Sequence, residues 1–182
     1  MKRCAWCNLN NEIYVNYHDK EWGVLNLDDT YLFEMLILEL FQAGLSFECV
    51  LNKRGYFKEA YDNFDVDKVS LYDDNKINEL MNNKNIIRNK LKIKASINNA
   101  KIFNSIKNEY GSFHNYLKMF TNDKIIYEND KTTSKLSDVI SNDLRNRGMK
   151  FIGSTIIYSY LQAIGIINSH DDSCYKHVKK AS

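Results

Sequence analysis

The 182 residues carry 44% hydrophobic and 26% charged side chains, with a formal net charge of +2. That is enough apolar material for a sizeable core, and too balanced a charge to hold a nucleic acid by the global field, so such a partner would need a local basic patch. No apolar run suits a signal peptide or a membrane span, which predicts a cytoplasmic chain with no membrane partner. Its four cysteines are then free thiols or metal ligands.

Apolar residues recur at three- and four-residue spacing without sustained alternation, so the predicted elements are helices and the fold class is all-α. Asp28, Asp29 or Thr30 caps a helix running to about Ala43. Gly44 breaks it, and Ser46 caps the next helix, which continues through FECVLNKRGYFKEAY. Then come DDNKINELMNN, a long helix after Asn89 ended by Gly111, a short SFHNYLKMF, and SKLSDVISNDLRNRG ended by Gly148. The last, STIIYSYLQAIGII, is capped by Ser154 and closes near Gly165, while Thr121 to Thr133 read as a polar surface loop. Neither a repeat nor a low-complexity linker interrupts the chain, which predicts one domain over 1–182.

Three constellations carry chemistry. Cysteines and histidines gather at the two ends of the chain. A tetrahedral zinc site has two solutions by spacing: Cys4 and Cys7 with Cys174 and His177, or Cys4 and His18 with His170 and Cys174. Either would tie the ends together; the plainer alternative is buried thiols and solvated histidines.

Glu39 is the second. On a helix it shares a stripe with Leu32, Met35, Leu36 and Ala43, where even a neutral unpaired polar group costs about 2–7 kcal/mol. The carboxylate either pairs with Lys53 or Arg54 of the next helix or serves a ligand. Trp6, Tyr14, Tyr17, Trp22 and Phe47 are dense enough nearby to line a stacking pocket, although aromatic stripes are more often core.

The third is the turn around Asn85 to Arg88 between two predicted helices, with Lys84, Arg88, Lys90, Lys92 and Lys94 clustered around it. Helix amides backed by lysines suit a DNA phosphate, whereas most lysine clusters are solvated faces. A helix-hairpin-helix usually carries glycine in its turn, and this one has none.

RCAW, YVNYHDKEWGV, LFEMLILELFQAGLSF, VLNKR, NIIRNKLKI, RGMKFIGSTIIYSYLQAIGIINSH and the closing Cys174, in that order over nearly the whole chain, resemble the 3-methyladenine DNA glycosylase I family. The resemblance implies a helix-hairpin-helix glycosylase fold, its hairpin placed near 73–110, with a structural zinc held by Cys4, His18, His170 and Cys174. It implies that Glu39 recognises the methylated base, with Trp6, Tyr14, Tyr17, Trp22 and Phe47 around it and Lys84, Arg88 and Lys90 on DNA. Phe47 stands where the family pattern has tryptophan. The implied protein is a monomeric, monofunctional hydrolase without lyase activity that takes double-stranded alkylated DNA and releases free 3-methyladenine. Two alternatives are a non-catalytic binder of alkylated DNA and a small structural zinc protein that binds another protein.

Overall fold

The computed structural model describes residues 1–178. Among them are ten α-helices: α1 Glu12–Lys20, α2 Asp29–Gln42, α3 Phe47–Leu51, α4 Arg54–Ala60, α5 Val66–Ser70, α6 Asp74–Asn82, α7 Lys90–Tyr110, α8 Phe113–Thr121, α9 Lys135–Asn146 and α10 Ser154–Ala163. Two short strands, β1 Ile126–Tyr127 and β2 Ile167–Asn168, pair in parallel, Ile126 opposite Ile167. None of these helices is long and apolar enough to cross a membrane.

α2 is the axis of the molecule. Asp28 caps it by accepting the Tyr31 amide at 3.0 Å. Every residue from Leu32 to Phe41 is then buried, because α3, α7, α8 and α10 pack around it. A helix apolar on nearly all sides is stable only in such a setting, where each fully buried large apolar side chain contributes about 1.5–3 kcal/mol. Its last carbonyls are met from α7: Lys92 Nζ donates to the Phe41 oxygen at 2.9 Å and to that of Ala43. A cation at a helix C-terminus satisfies orphan acceptors and the helix dipole together.

The two ends of the described chain are stitched to each other. Tyr175 N donates to Lys2 O at 2.9 Å, and the Ala5 amide donates to Asp171 Oδ2 at 2.7 Å. The segment after α1 runs against the end of α10, with Gly23 N on Gln162 O at 3.0 Å and Asn26 N on Ile164 O at 3.1 Å. A Cβ at Gly165 would overlap the backbone of Val24 and Leu25, so only glycine permits this approach.

Several elements differ from the sequence expectation. α1 lacks an apolar stripe because it buries Tyr17 and His18 instead. The helix expected over 47–61 divides at Asn52 and Lys53, which swings Arg54 onto Glu21 and Glu34. The loop expected over 121–133 contributes β1. Ser154 does not cap α10; the N-cap is Gly153, and the Ser154 hydroxyl meets that of Ser137 at 2.8 Å.

Candidate active site

One cavity of about 300 Å³ opens beside the third turn of α2. Six side chains singled out in the sequence line it: Glu39, Tyr14 and Tyr17 from α1, Trp6 ahead of it, Trp22 after it, and Phe47 at the start of α3. Trp6 is the hub, with ring centroids 5.1 Å from Tyr14 and 4.8 Å from Trp22, both edge-to-face. Tyr17 and Phe47 close the opposite side at 5.1 Å. These packings fix the rings as walls.

The carboxyl of Glu39 is buried, and its Oε2 has no hydrogen-bond partner. Neither expected cation reaches it. Arg54 is committed to Glu34 at 2.8 Å and Glu21 at 2.7 Å, and Lys53 Nζ donates to the Asn85 carbonyl at 3.0 Å. Burial alone pushes the Glu39 carboxyl well above the usual carboxylate range. Burial, then the neighbouring Glu39, raises the Tyr17 hydroxyl, and burial raises Tyr14 to about 12. The cavity thus favours the uncharged forms of its acid and its phenols, and a cation entering it would oppose that preference.

Polar side chains without motif chemistry complete the lining: Gln42, Ser159, Gln162, Ser169, Asp171 and, from the β1 loop, Asp130 and Lys131. Gln42 Oε1, Ser169 Oγ and the Tyr17 hydroxyl are, like Glu39 Oε2, buried without partners. Buried polar atoms are normally satisfied, so four orphans around one cavity mark a surface shaped for a polar ligand. Helical spacing offered a partial signal: Gln42 lies one turn after Glu39, and Ser159 and Gln162 are three apart on α10.

Directly behind the aromatic walls lie Cys4, His18, His170 and Cys174, all buried, with one ligating atom from each within 4.8 Å of the others. Cys4 Sγ is 3.3 Å from His170 Nδ1, and Cys174 Sγ is 3.5 Å from His18 Nε2. Those separations suit two thiolates and two imidazoles around one ion, so the cluster can hold a metal. Behind the first ligands, His18 Nδ1 meets Asp19 at 2.8 Å, and Arg3 holds Asp19 through two hydrogen bonds of 2.8 and 2.7 Å. Burial holds Cys4 near about 12 and drops His170 to about 4, its neighbour His18 adding to the fall. A bound dication would reverse the thiol preference. Cys7 and His177 stand outside this group.

Of the basic cluster, Lys84, Arg88, Lys90 and Lys94 are exposed around the α6–α7 turn. Lys92 is not: it is 6% exposed and bound to the end of α2, so it is withdrawn from any DNA face.

Fold and site together define a helical protein that offers a buried carboxyl to a base-sized aromatic cleft, braced by a cysteine–histidine knot. The model of the methyladenine glycosylase family matches residues 6–177, and the chain belongs to that family. It is 37% identical over 180 residues to DNA-3-methyladenine glycosylase 1 of Escherichia coli K12, covering 96% of each chain. It is 36% identical over 179 residues to DNA-3-methyladenine glycosylase of Haemophilus influenzae, covering 94% of this chain and 96% of that one. A structure of 3-methyladenine DNA glycosylase I from Staphylococcus aureus, solved for 3-methyladenine recognition, superposes with a TM-score of 0.92 at 32% identity, covering 100% of this chain and 99% of that one.

Proposed function

We propose that this protein is a DNA glycosylase that flips N3-methyladenine out of alkylated DNA and hydrolyses its glycosidic bond, leaving an abasic site. The observation that carries the reading is the buried, partnerless Glu39 carboxyl facing a cavity walled by aromatic rings. Methylation at N3 makes the adenine ring cationic. The bond electrons therefore leave with a neutral base, an oxocarbenium ion forms on the sugar, and water adds there with loss of one proton.

Extruding a damaged base costs a few kcal/mol, and stacking returns about 1–3 kcal/mol per base, more when the ring is positive. The cation also favours the charged form of Glu39, against the preference that burial imposes. The carboxylate is then an acceptor for the exocyclic amine, satisfied by adenine and left unpaired by a base without that donor. Tyr14, Tyr17, Trp6, Trp22 and Phe47 fix the plane of the ring. Lys131, at the cavity rim, is engaged by Glu128 at 2.6 Å, a contact that supports hydrolysis without lyase chemistry.

Zinc is the metal that two thiols and two imidazoles suit best, and four protein ligands leave no open position for a metal-bound water. Its part is to fasten the N- and C-terminal segments, and with them Trp6 and Trp22, into a single glycosylase domain.

For DNA, we assign the hairpin to the α9–α10 turn rather than to 73–110. Gly148 sits at φ +100, Asn99 brackets the Lys150 backbone with two bonds of 2.9 Å, and α10 begins without a side-chain cap. Exposed Lys84, Arg88 and Lys90 supply a second set of phosphate contacts. Incubation with methylated duplex DNA should release free 3-methyladenine and leave alkali-labile sites without strand cleavage. Damage-selective binding with no released base would make the protein a sensor instead.

A further inference from the structure

The turn Cys4-Ala5-Trp6-Cys7 serves both the knot and the cavity. Cys4 is one of the four clustered donors and Trp6 is the hub of the aromatic wall, whereas Cys7 has no part in either. Cys7 is nonetheless buried, as is Cys4. The Cys7 amide donates to the Cys4 carbonyl at 3.0 Å, with Ala5 and Trp6 as the turn residues between them. Such a turn keeps its end Cα atoms within about 7 Å, and disulfides span Cα separations of about 4.4–6.8 Å, so the backbone already holds the two cysteines at bridging distance. The turn is pinned from outside as well: Ala5 N donates to Asp171 Oδ2 at 2.7 Å, and the Asp171 amide meets Cys4 Sγ at 3.4 Å.

Cys4 Sγ therefore stands between two roles. Facing His170 and Cys174 it is a metal ligand, which requires a thiolate. Joined to Cys7 it is half of a disulfide, which carries no charge and leaves the cluster one donor short. Cys7 lies outside the cluster, so its thiol is available while the other four side chains are engaged.

We propose that Cys4 and Cys7 form a redox site: a peroxide converts them to a disulfide, which withdraws Cys4 from the cluster and reshapes the turn that carries Trp6. The Cys4 sulfur attacks the peroxide, the O–O bond breaks, and a sulfenic acid forms with release of an alcohol, or of water from hydrogen peroxide. The Cys7 sulfur then attacks that of Cys4; the S–S bond forms, the S–O bond breaks, and the hydroxyl leaves as water with the Cys7 proton. The two sulfurs lose two electrons and the peroxide gains them. The disulfide needs only the turn, while the accompanying loss of metal and of base release rests on the readings proposed above.

The test treats the folded, zinc-loaded protein with hydrogen peroxide, blocks the remaining thiols and maps the peptides by mass spectrometry, with released zinc followed by a chromophoric chelator. A species linking Cys4 to Cys7, lighter by two hydrogens, should exceed every other cysteine linkage about tenfold. Zinc should appear in step with it, and 3-methyladenine release should fall about tenfold and recover to within about twofold after dithiothreitol and zinc. Cys7→Ser keeps all four ligands, so it should begin with the same metal content and base release. Under peroxide its Cys4 should pass on to the sulfinic acid, which dithiothreitol does not restore. Cys7 still reduced once the less buried Cys49 has been oxidised, or Cys4 linked to Cys174 instead, overturns the proposal; the wild-type map decides this even if Cys7→Ser does not fold. A protein that forms the Cys4–Cys7 bridge yet never releases 3-methyladenine upholds the redox site and overturns the glycosylase reading alone.

Discussion

The cysteine–histidine knot and the base cavity stand back to back, share Trp6 and Trp22, and treat their polar atoms in opposite ways. In the knot every ligand has neighbours: His18 is tied to Asp19 and Arg3, and backbone amides of Asp171 and Lys176 donate to the two sulfurs at 3.4 Å. In the cavity four buried polar atoms have none. Satisfied groups make a brace, and unsatisfied ones make a receptor whose cost is carried by the rest of the fold. The two are joined through aromatic rings: Trp22 meets His170 edge-to-face at 4.7 Å, and Trp6 lies 5.3 Å from His18.

Breaking the brace should have the largest effect. Cys174→Ala removes one of the four ligands, so metal content measured by atomic emission should fall sharply. Loss of a buried metal tie costs about 3–4 kcal/mol, or roughly 6–16 °C in Tm for a chain of this size. Base release should fall with it, because Trp6 and Trp22 lose their backing. Full metal occupancy in this variant would mean that Cys174 is not a ligand.

The receptor should answer in the opposite sense. Glu39→Gln keeps the shape, removes the carboxylate, and should cut base release about 100-fold, a loss of about 2.7 kcal/mol. Its stability should rise. An unfolded Glu39 ionises near about 4.3, whereas burial holds the folded carboxyl's proton to higher pH. The unfolded chain is therefore favoured progressively as pH climbs above that value, until the folded carboxyl itself ionises. The variant escapes this penalty, so its Tm should exceed that of the wild type by roughly 2–4 °C at neutral pH, for about 1 kcal/mol. The gap should close toward pH 4. A variant less stable than the wild type across that range would mean Glu39 has a structural partner.

How far the sequence disclosed these two regions follows from their physics. The buried helices were legible because burial calls for apolar residues, and α2 is a nearly unbroken apolar run from Leu32 to Phe41, too long for a strand. α1 was not, since its inward residues are Tyr17 and His18, which serve the cavity and the knot rather than a core stripe. Spacing left two metal sets open; the cluster around His18 and His170 is a three-dimensional fact, made by stitching Tyr175 to Lys2. The lysines at 84–94 look uniform in sequence, yet one of them caps α2 from within. Ser169 carried no signal, because an ordinary serine becomes notable only when its oxygen is buried alone beside a cavity.

The smallest expected effect probes the shared wall from the cavity side. Phe47 is partly exposed, packs on Tyr17 at 5.1 Å with its ring tilted by 48°, and lines the cavity. Phe47→Trp enlarges the electron-rich face without adding charge and without touching the knot. Cation–π contacts at exposed sites contribute about 0.5–1 kcal/mol, so DNA containing N3-methyladenine should bind two- to fivefold tighter to the variant. Metal content should be unchanged. If the gain appears for undamaged DNA as well, the larger ring is meeting the duplex rather than the flipped base, and Phe47 belongs to the rim and not to the receptor.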